Sequence, residues 1–253
     1  MKITNYESPK VRVIENFVND DLCEFIIRYA NSNELWSFSN AVKSMFQDNN
    51  HYKAVSKQWD DRKIELNDVV SKQLHQNLIE KIWSVKEKGK RQVEDFFYQN
   101  NTPVFLESWE LVRWFYPFSQ GAHLDYIDPG FNREKDWPVG VGQEVFPPEV
   151  EEIYKNHCTT KHFTSMLYLN EDFEGGELYF PYHDNFTIKP KKGMLVIFSG
   201  GIENPHGVTQ ITDGTRYVHT AFWSRTPEKA PFITKSILEN TLVKYWEDKG
   251  LEK

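Results

Sequence analysis

Between residues 103 and 224 the chain consists largely of short runs that are rich in β-branched and aromatic residues. Gly, Pro, Asn or Asp bounds each run, and these residues favour turns over continued strands. The runs span residues 104–116, 163–169, 177–180, 185–188, 194–198, 207–211 and 215–223. Many short strands joined by such turns predict a β-sandwich, a barrel or a jelly roll.

The first 102 residues show helical periodicity, apart from one short apolar strand at 11–17. Asn19 and the two acidic residues after it can cap a helix. Apolar residues then recur at spacings of three and four: Leu22, Phe25, Ile26 and Tyr29. A longer pattern of the same kind covers 67–98, with an interruption around 86–90. We expect both helices to pack on the sheet as supports.

The length of 253 residues fits one domain with a β-structured core and helical additions. Aromatic residues make up 15% of the chain, and such large side chains can fill a core although only 39% of the residues are hydrophobic. We therefore predict a single α+β domain. In it, 1–102 form a helical support, 103–224 form the core and 225–253 form a C-terminal helical extension.

Charge and composition restrict the expected partners and compartment. The net charge is −7 and the pI is about 5.7, so the chain lacks the cationic field that supplies most non-specific nucleic-acid affinity. No stretch is as long and apolar as a signal peptide or a membrane-spanning helix. The two cysteines, Cys23 and Cys158, are too few for a disulfide framework or a thiolate zinc site. These features predict a cytoplasmic protein with no nucleic-acid or membrane partner.

Among the eight histidines, only His123 is followed two residues later by an aspartate, Asp125. Residues i and i+2 of a strand point to the same side, so this pair can bind one ion. The pair alone is a weak signal, but His206 adds a second imidazole. Two imidazoles and one carboxylate leave three positions open on Fe(II), which is typical of oxygen-activating non-haem iron. Zinc is the competing metal, yet the sequence contains no His-Glu-x-x-His motif of a zinc hydrolase.

Arg216, ten residues after His206, is the natural partner of an organic co-substrate. A 2-oxo acid can occupy two of the open iron positions and O2 the third, and its distal carboxylate then needs a fixed cation. A planar guanidinium binds a carboxylate through two parallel hydrogen bonds. Arg216 follows a predicted turn at 213–214 and lies on the predicted strand 215–223. The face that it shares with Val218, Thr220 and Phe222 is therefore expected to line the pocket.

Several segments in the second half of the chain resemble a known family in sequence and in order. They are 113–125 (RWFYPFSQGAHLD), 163–181 (FTSMLYLNEDFEGGELYFP), 190–198 (PKKGMLVIF), and the region from 205–208 (PHGV) through 214–216 (GTR) to Trp223. They resemble the 2-oxoglutarate- and Fe(II)-dependent dioxygenases, specifically the prolyl 4-hydroxylase-like branch. The resemblance implies a double-stranded β-helix, or jelly roll, with the iron near one end and helices packed outside.

The resemblance also implies roles for single residues in iron binding. His123, Asp125 and His206 correspond to the iron ligands of the family. Arg216 corresponds to the residue that binds the distal carboxylate of 2-oxoglutarate, where many prolyl hydroxylases carry Lys instead.

Further residues are implied as contacts of the oxo acid. Thr164 lies where the family often has a hydroxyl near this co-substrate. Three residues before the first ligand, where the family commonly has a tyrosine, this chain has Gln120. The amide of Gln120, or the hydroxyl of Tyr116 or Tyr168, could replace the missing contact.

A member of this family would be an oxidoreductase that hydroxylates an unactivated C–H bond with O2 while converting 2-oxoglutarate to succinate and CO2. Ascorbate (vitamin C) is a candidate reductant. The leading expectation is prolyl 4-hydroxylation of a peptide or protein. A free amino acid or another small molecule is the alternative substrate. The alternative of another class is a catalytically silent jelly-roll module that binds a ligand.

The segment 128–161 is rich in Pro and Gly and directly follows the first two ligands. It is too long for an ordinary strand connection. Four of its aromatic residues could contact a proline ring: Phe131, Trp137, Phe146 and Tyr154. We interpret the segment as a substrate lid. Trp114 and Trp223 are expected to pack in the barrel core, with a place in the pocket wall as the alternative.

Overall fold

The computed structural model of the chain describes residues 1–32, 36, 62–66, 76–128, 130–136 and 159–227. Its strands are β1 (Lys2–Glu7), β2 (Lys10–Glu15), β3 (Lys63–Glu65), β4 (Phe105–Phe115), β5 (Gln120–His123), β6 (Phe163–Tyr168), β7 (Phe173–Gly175), β8 (Leu178–Phe180), β9 (Phe186–Ile188), β10 (Leu195–Ser199), β11 (His206–Val208) and β12 (Ile211–Ser224). Its helices are α1 (Asp20–Ser32), α2 (Gln76–Tyr98) and α3 (Arg133–Asp136). The predicted extension beyond 227 and the lid residues 137–158, including Trp137, Phe146 and Tyr154, lie outside the described residues.

The strands form two sheets in which neighbouring strands are antiparallel. The large sheet has the order β1-β2-β10-β6-β12-β4-β3, and β7 pairs with one end of β12. The small sheet has the order β5-β11-β8-β9. The alternation of non-consecutive neighbours, such as β10 beside β2 and β11 beside β5, is the crossing pattern of a jelly roll.

Two hydrophobic cores lie on opposite faces of the large sheet. The inner core is shared with the small sheet and contains Val112, Trp114 and Tyr168 together with Leu178 and Phe180. The outer core joins the large sheet to α1 and α2. Trp114 therefore packs between the sheets, whereas Trp223 packs under the helices. The expectation of helices as supports on the sheet agrees with this arrangement.

Helix α1 begins as predicted, because the side chain of Asn19 accepts a hydrogen bond from the backbone N–H of Leu22 at 3.1 Å. Helix α2 differs from the prediction, since it is continuous through 86–90. The ammonium of Lys86 lies 3.2 Å from the centre of the Trp83 ring and pairs with Glu87. These contacts accommodate a buried lysine within the helix, so the charged stretch does not break it. Residues 67–75 of the predicted helix lie outside the described residues.

The predicted turn at 213–214 is wrong. Strand β12 already begins at Ile211, and β7 pairs with it across this region with an irregular register. Gly214 has a φ of +73°, and a Cβ there would lie 2.8 Å from the carbonyl oxygen of Asp172. The register shift lies between Ile211 and Asp213, and the glycine beside it permits the close approach of β7 to a continuous strand rather than a turn between two strands.

No helix within the described part of the chain is long and apolar enough to cross a membrane. The cytoplasmic location and the division of the chain at 102 and 224 stay predictions.

Candidate metal and co-substrate site

The three predicted metal ligands meet at one end of the small sheet. His123 is the last residue of β5 and His206 the first residue of β11, and the two are direct cross-strand partners. Asp125 was predicted to share a strand with His123, but β5 ends at His123 and Asp125 lies in the bend that follows. The bend is held by a hydrogen bond from the backbone N–H of Tyr126 to the carbonyl of Gly200 at 2.9 Å.

The ligand atoms of the triad are close enough to bind one ion. The carboxylate oxygens of Asp125 lie 3.3 Å from Nε2 of His206 and 3.7 Å from Nε2 of His123. All three ligand atoms lie within 4.8 Å of one another, and all three residues are buried. The set of two imidazoles and one carboxylate that face each other in this way fits Fe(II) with open coordination positions.

Both histidines are fixed through the ring nitrogen that faces away from the triad. Nδ1 of His123 lies 2.9 Å from the carbonyl oxygen of Gly121, and Nδ1 of His206 lies 3.0 Å from that of Asn204. A carbonyl can only accept, so each Nδ1 carries the proton. Each Nε2 is then left with a lone pair for a metal ion.

The electrostatics of the triad favour the metal-binding protonation states. Burial, together with the electrostatic interaction with His206, lowers the pKa of His123 to about 4. Burial alone would raise the pKa of Asp125, but the interactions with both histidines and a hydrogen bond from Thr164 outweigh it and hold the pKa well below its usual range. At neutral pH a neutral imidazole of His123 therefore faces an ionised carboxylate.

Thr164, predicted as a contact of the oxo acid, is placed against a metal ligand. Its hydroxyl donates a hydrogen bond to Oδ2 of Asp125 at 2.5 Å, and both residues are buried. This bond fixes the rotation of the carboxylate, so Thr164 orients a ligand of the triad.

Arg216 lies on β12 with its guanidinium buried on the inner face of the large sheet. One nitrogen donates a hydrogen bond to the hydroxyl of Tyr168 at 3.4 Å, and the guanidinium carbon is 5.6 Å from the Trp114 ring. Nε and Nη1 have no hydrogen-bond partner within the described residues. Burial lowers the pKa of Arg216, but an arginine stays protonated in proteins. Unpaired donors on a buried cation fit the distal carboxylate of a 2-oxo acid.

The three remaining predicted contacts have different positions. Tyr168 is fully buried beside Arg216. Gln120 begins β5 opposite Val208 and is half-buried. Tyr116 is 66% exposed in the turn after β4, so the structure does not bring its hydroxyl into the buried site.

Two features of the site were missed at the level of sequence. The first is the support of His206 by Asn204, whose side chain bonds to Ser199. The second is Lys161, whose ammonium lies 4.2 Å from the centre of the Phe222 ring. The position of Asn204, two residues before the ligand His206, could have indicated a supporting role. Its contact with Ser199 depends on the turn between β10 and β11, which the sequence does not reveal.

A jelly roll with two histidines and one carboxylate at one end of its small sheet defines the class of non-haem iron oxygenases by fold and by site. Residues 116–224 match the family model of the 2OG-Fe(II) oxygenase superfamily. The match covers 109 of the 253 residues, and it includes all three metal ligands and Arg216.

Relatives in sequence and in structure are prolyl hydroxylases by name. Human "Prolyl 3-hydroxylase 2" is 33% identical over 147 residues, which cover 56% of this chain and 19% of that protein. This chain thus spans about a fifth of the length of the curated relatives that it matches.

Two solved structures share the fold. A Pseudomonas putida prolyl-4-hydroxylase has a TM-score of 0.51, with 14% identity over 85% of this chain and 92% of that one. The viral collagen prolyl hydroxylase vCPH of Paramecium bursaria Chlorella virus-1 also has a TM-score of 0.51, with 17% identity over 85% and 88%. These likenesses confirm the predicted α+β jelly-roll fold, with its prolyl 4-hydroxylase-like architecture.

Proposed function

We propose that this protein is an Fe(II)- and 2-oxoglutarate-dependent dioxygenase that hydroxylates proline residues in a peptide or protein. The observation that carries the proposal is that one inner core borders both a complete metal triad and a buried arginine with unpaired donors. A hydrolytic metal site has no use for the second element, whereas a 2-oxo acid requires both. The prolyl hydroxylases among the relatives support the choice of substrate.

His123, Asp125 and His206 would hold the iron, and Arg216 would bind the distal carboxylate of 2-oxoglutarate. When bound, Fe(II) with 2-oxoglutarate supplies the activation of O2. The protein keeps the ligands in their binding tautomers and keeps water away. Two aromatic rings enclose His206 for this purpose: Phe198 at 4.5 Å and Phe180 at 6.1 Å between ring centres. A dry site strengthens each electrostatic contact within it.

The substrate would approach beside Asp125, where Lys161 and Phe222 form a cation and aromatic pair. Phe222 is the cross-strand partner of Thr164, which bonds to Asp125, so the pair adjoins the triad. An aromatic face suits the apolar ring of proline, and an ammonium can donate hydrogen bonds to the carbonyl groups of an extended peptide.

The ring position is a finer part of the proposal. The prolyl 4-hydroxylase-like resemblance favours C4. The relative in sequence is named a 3-hydroxylase, which makes C3 the second candidate. Both reactions need the same site residues, so the outcome depends on how the ring is held against the metal.

Succinate formation and product mass test the proposal directly. The full chain is incubated with Fe(II), 2-oxoglutarate and O2, and with a panel of proline peptides, free proline and other amino acids. We expect coupled succinate formation and a gain of one oxygen atom with peptides only. Comparison of hydrolysed products with 3- and 4-hydroxyproline standards assigns the carbon. Activity on free amino acids alone would replace the peptide substrate by the small-molecule alternative.

A binding experiment separates an enzyme from a silent module. Anaerobic addition of Fe(II) and 2-oxoglutarate should give a weak visible charge-transfer band that is absent in Asp125→Ala. If the wild-type protein shows neither this band nor succinate, the dioxygenase assignment is overturned.

A further inference from the structure

The turn between β10 and β11 contacts two of the three metal ligands at once. It runs from Ser199 to Asn204, and we refer to it as the ligand turn. We infer that a hydrogen bond inside this turn, between the side chains of Ser199 and Asn204, sets the distance between Asp125 and His206 and so tunes metal affinity. The inference rests on the proposed metal site.

The first contact of the ligand turn is with His206. The carbonyl of Asn204 accepts the hydrogen bond from Nδ1 of His206 at 3.0 Å. Asn204 is fully buried, and its backbone N–H donates to the carbonyl of Gly201 at 2.9 Å. Its side-chain amide lies 2.7 Å from the hydroxyl of Ser199. The peptide group that orients His206 is thus held by both the backbone and the side chain of one residue.

The second contact is with Asp125. The carbonyl of Gly200 accepts a hydrogen bond from the N–H of Tyr126, directly after Asp125. A Cβ on Gly200 would lie 2.8 Å from Cβ of Asp125 and 2.8 Å from the carbonyl oxygen of Lys161. The backbone of the turn therefore lies directly against this ligand, at a distance that no other residue type permits without a shift.

The ligand turn can fix the positions of His206 and Asp125 only if the turn itself is rigid. Ser199 and Asn204 are its first and last residues, and their side-chain bond closes it. His123 has no such dependence, because its Nδ1 bonds to Gly121 within its own strand segment. Asn204 and Ser199 are positioning residues, since neither contacts the metal ligand atoms.

The amide of Asn204 supports a geometric requirement. Its Oδ1 is buried and has no hydrogen-bond partner within the described residues. Buried polar atoms without a partner are unfavourable, so an apolar residue would serve better if the turn needed only to be filled. The bond to Ser199 can form with either end of the amide, because a hydroxyl both donates and accepts.

A double-mutant cycle on Co(II) affinity tests the inference. Asn204→Ala and Ser199→Ala each remove the same bond, so each should raise the Kd for Co(II) about tenfold, within the range for residues that support metal ligands. The double variant should bind no more weakly than Asn204→Ala, because that change already removes both the bond to the Ser199 hydroxyl and the longer one to the Ser199 carbonyl at 3.4 Å. The Co(II) absorption spectrum of all three should change shape as Asp125 and His206 move apart.

Two control variants separate positioning from stability. Ser199→Thr keeps the hydroxyl and should keep the wild-type Kd. Asn170→Ala removes another buried asparagine, whose side chain bonds Asp172 and the carbonyl of Thr215 away from the triad. It should lower the melting temperature and leave the Kd for Co(II) unchanged.

The possible failures are distinguishable. Wild-type Kd values in both alanine variants, or effects that add in the double variant, would overturn the role of the bond while leaving the metal site intact. If the wild-type protein bound no Co(II), the proposed metal site would fail and the inference with it.

Discussion

The inner core between the two sheets borders two functional ends that are completed in different ways. At the metal end, both histidines have backbone partners and Thr164 bonds the carboxylate of Asp125. At the clamp end, formed by Arg216, Tyr168 and Trp114, the guanidinium makes one long hydrogen bond and has two nitrogens without a partner in the described region. The protein thus organises the metal end by itself, whereas the clamp end is complementary to an anion that the described residues do not supply.

This contrast predicts that each end can be damaged without the other. Metal affinity depends on hydrogen bonds that already hold the ligands in the free protein, so substitutions that break these bonds should lower the affinity. Co-substrate affinity depends on contacts that form only on binding, and the unpaired donors of Arg216 should make the free protein less stable than it could be.

The largest expected effect comes from Arg216→Met. Loss of a buried cation that pairs with a carboxylate typically weakens binding by about 2–5 kcal/mol, so we expect the Kd for 2-oxoglutarate to rise about 30-fold or more. The Kd for Co(II) should not change. Calorimetric titration of the Co(II)-loaded protein with 2-oxoglutarate measures the Kd for the co-substrate. Titration of the metal-free protein with Co(II) measures the Kd for the metal.

Arg216→Lys is the matched control, because it keeps the charge and loses the planar pair of donors. It should retain part of the affinity for 2-oxoglutarate. The melting temperature of Arg216→Met without ligand should rise, since the unpaired donors are removed. An unchanged Kd for 2-oxoglutarate in Arg216→Met would show that the clamp lies elsewhere.

Thr164→Val is the corresponding test of the metal end. Valine has nearly the shape of threonine but cannot donate the 2.5 Å hydrogen bond to Asp125. We expect the Kd for Co(II) to rise about tenfold, as is usual when a group that orients a metal ligand is removed. Thr164→Ser keeps the hydroxyl and should stay near the wild-type value. If Thr164→Val instead weakened only 2-oxoglutarate, the hydroxyl would contact the co-substrate, as the family resemblance implies.

A smaller effect is expected from Arg62→Met at the clamp end. The guanidinium of Arg62 lies 3.7 Å from the Phe118 ring centre and 5.1 Å from that of Trp114, the ring that also faces Arg216. Its loss should loosen Trp114 and raise the Kd for 2-oxoglutarate a few-fold, because one cation–π contact contributes on the order of 1 kcal/mol. The Kd for Co(II) should stay the same.

Arg12→Met controls for the loss of a buried, ring-stacked arginine. Arg12 lies 4.8 Å from the Phe96 ring and pairs with Asp95, away from both ends. Its replacement should lower the melting temperature and change neither Kd. If Arg12→Met and Arg62→Met raised the Kd for 2-oxoglutarate equally, a specific role for Arg62 would be excluded.

The sequence was most informative where short-range pattern determines structure. Short β-branched and aromatic runs between turn residues placed most of the strands of the second half, and the cap at Asn19 placed the start of α1. The triad and Arg216 could be found because their chemistry is specific and their spacing is restricted by the strands that carry them. The structure brings His123, Asp125 and His206 together as predicted.

The sequence was least informative where a contact depends on the meeting of distant segments. The irregular register between Ile211 and Asp213 requires β7 beside β12, and the support of Asp125 requires Gly200 from the turn between β10 and β11. The hydrogen bond of Thr164 to Asp125 also depends on the register of β6 against the bend after β5, so the sequence did not predict it, and the contact of Thr164 with the co-substrate stays a prediction. Such contacts follow from tertiary register, which local periodicity does not determine.

The smallest expected effect lies outside both ends, at Gly89 in the middle of α2. Gly89 is buried, yet a Cβ there would meet no atom within 4 Å. Alanine avoids the entropic penalty of glycine in a helix, so Gly89→Ala should stabilise the protein by about 1 kcal/mol, or roughly 2–4 °C in melting temperature. Neither Kd should change, because the helix packs on the outer face of the sheet.

Gly207→Ala is the opposite case and links stability back to the metal end. Gly207 directly follows His206 in the sequence. A Cβ on Gly207 would lie 2.5 Å from the Tyr179 ring and 2.6 Å from the carbonyl oxygen of Gln120. This substitution should lower the melting temperature and weaken Co(II) binding together. If Gly89→Ala also altered Co(II) binding, the helices would not be passive supports, and the separation of the inner face from the outer face would be wrong.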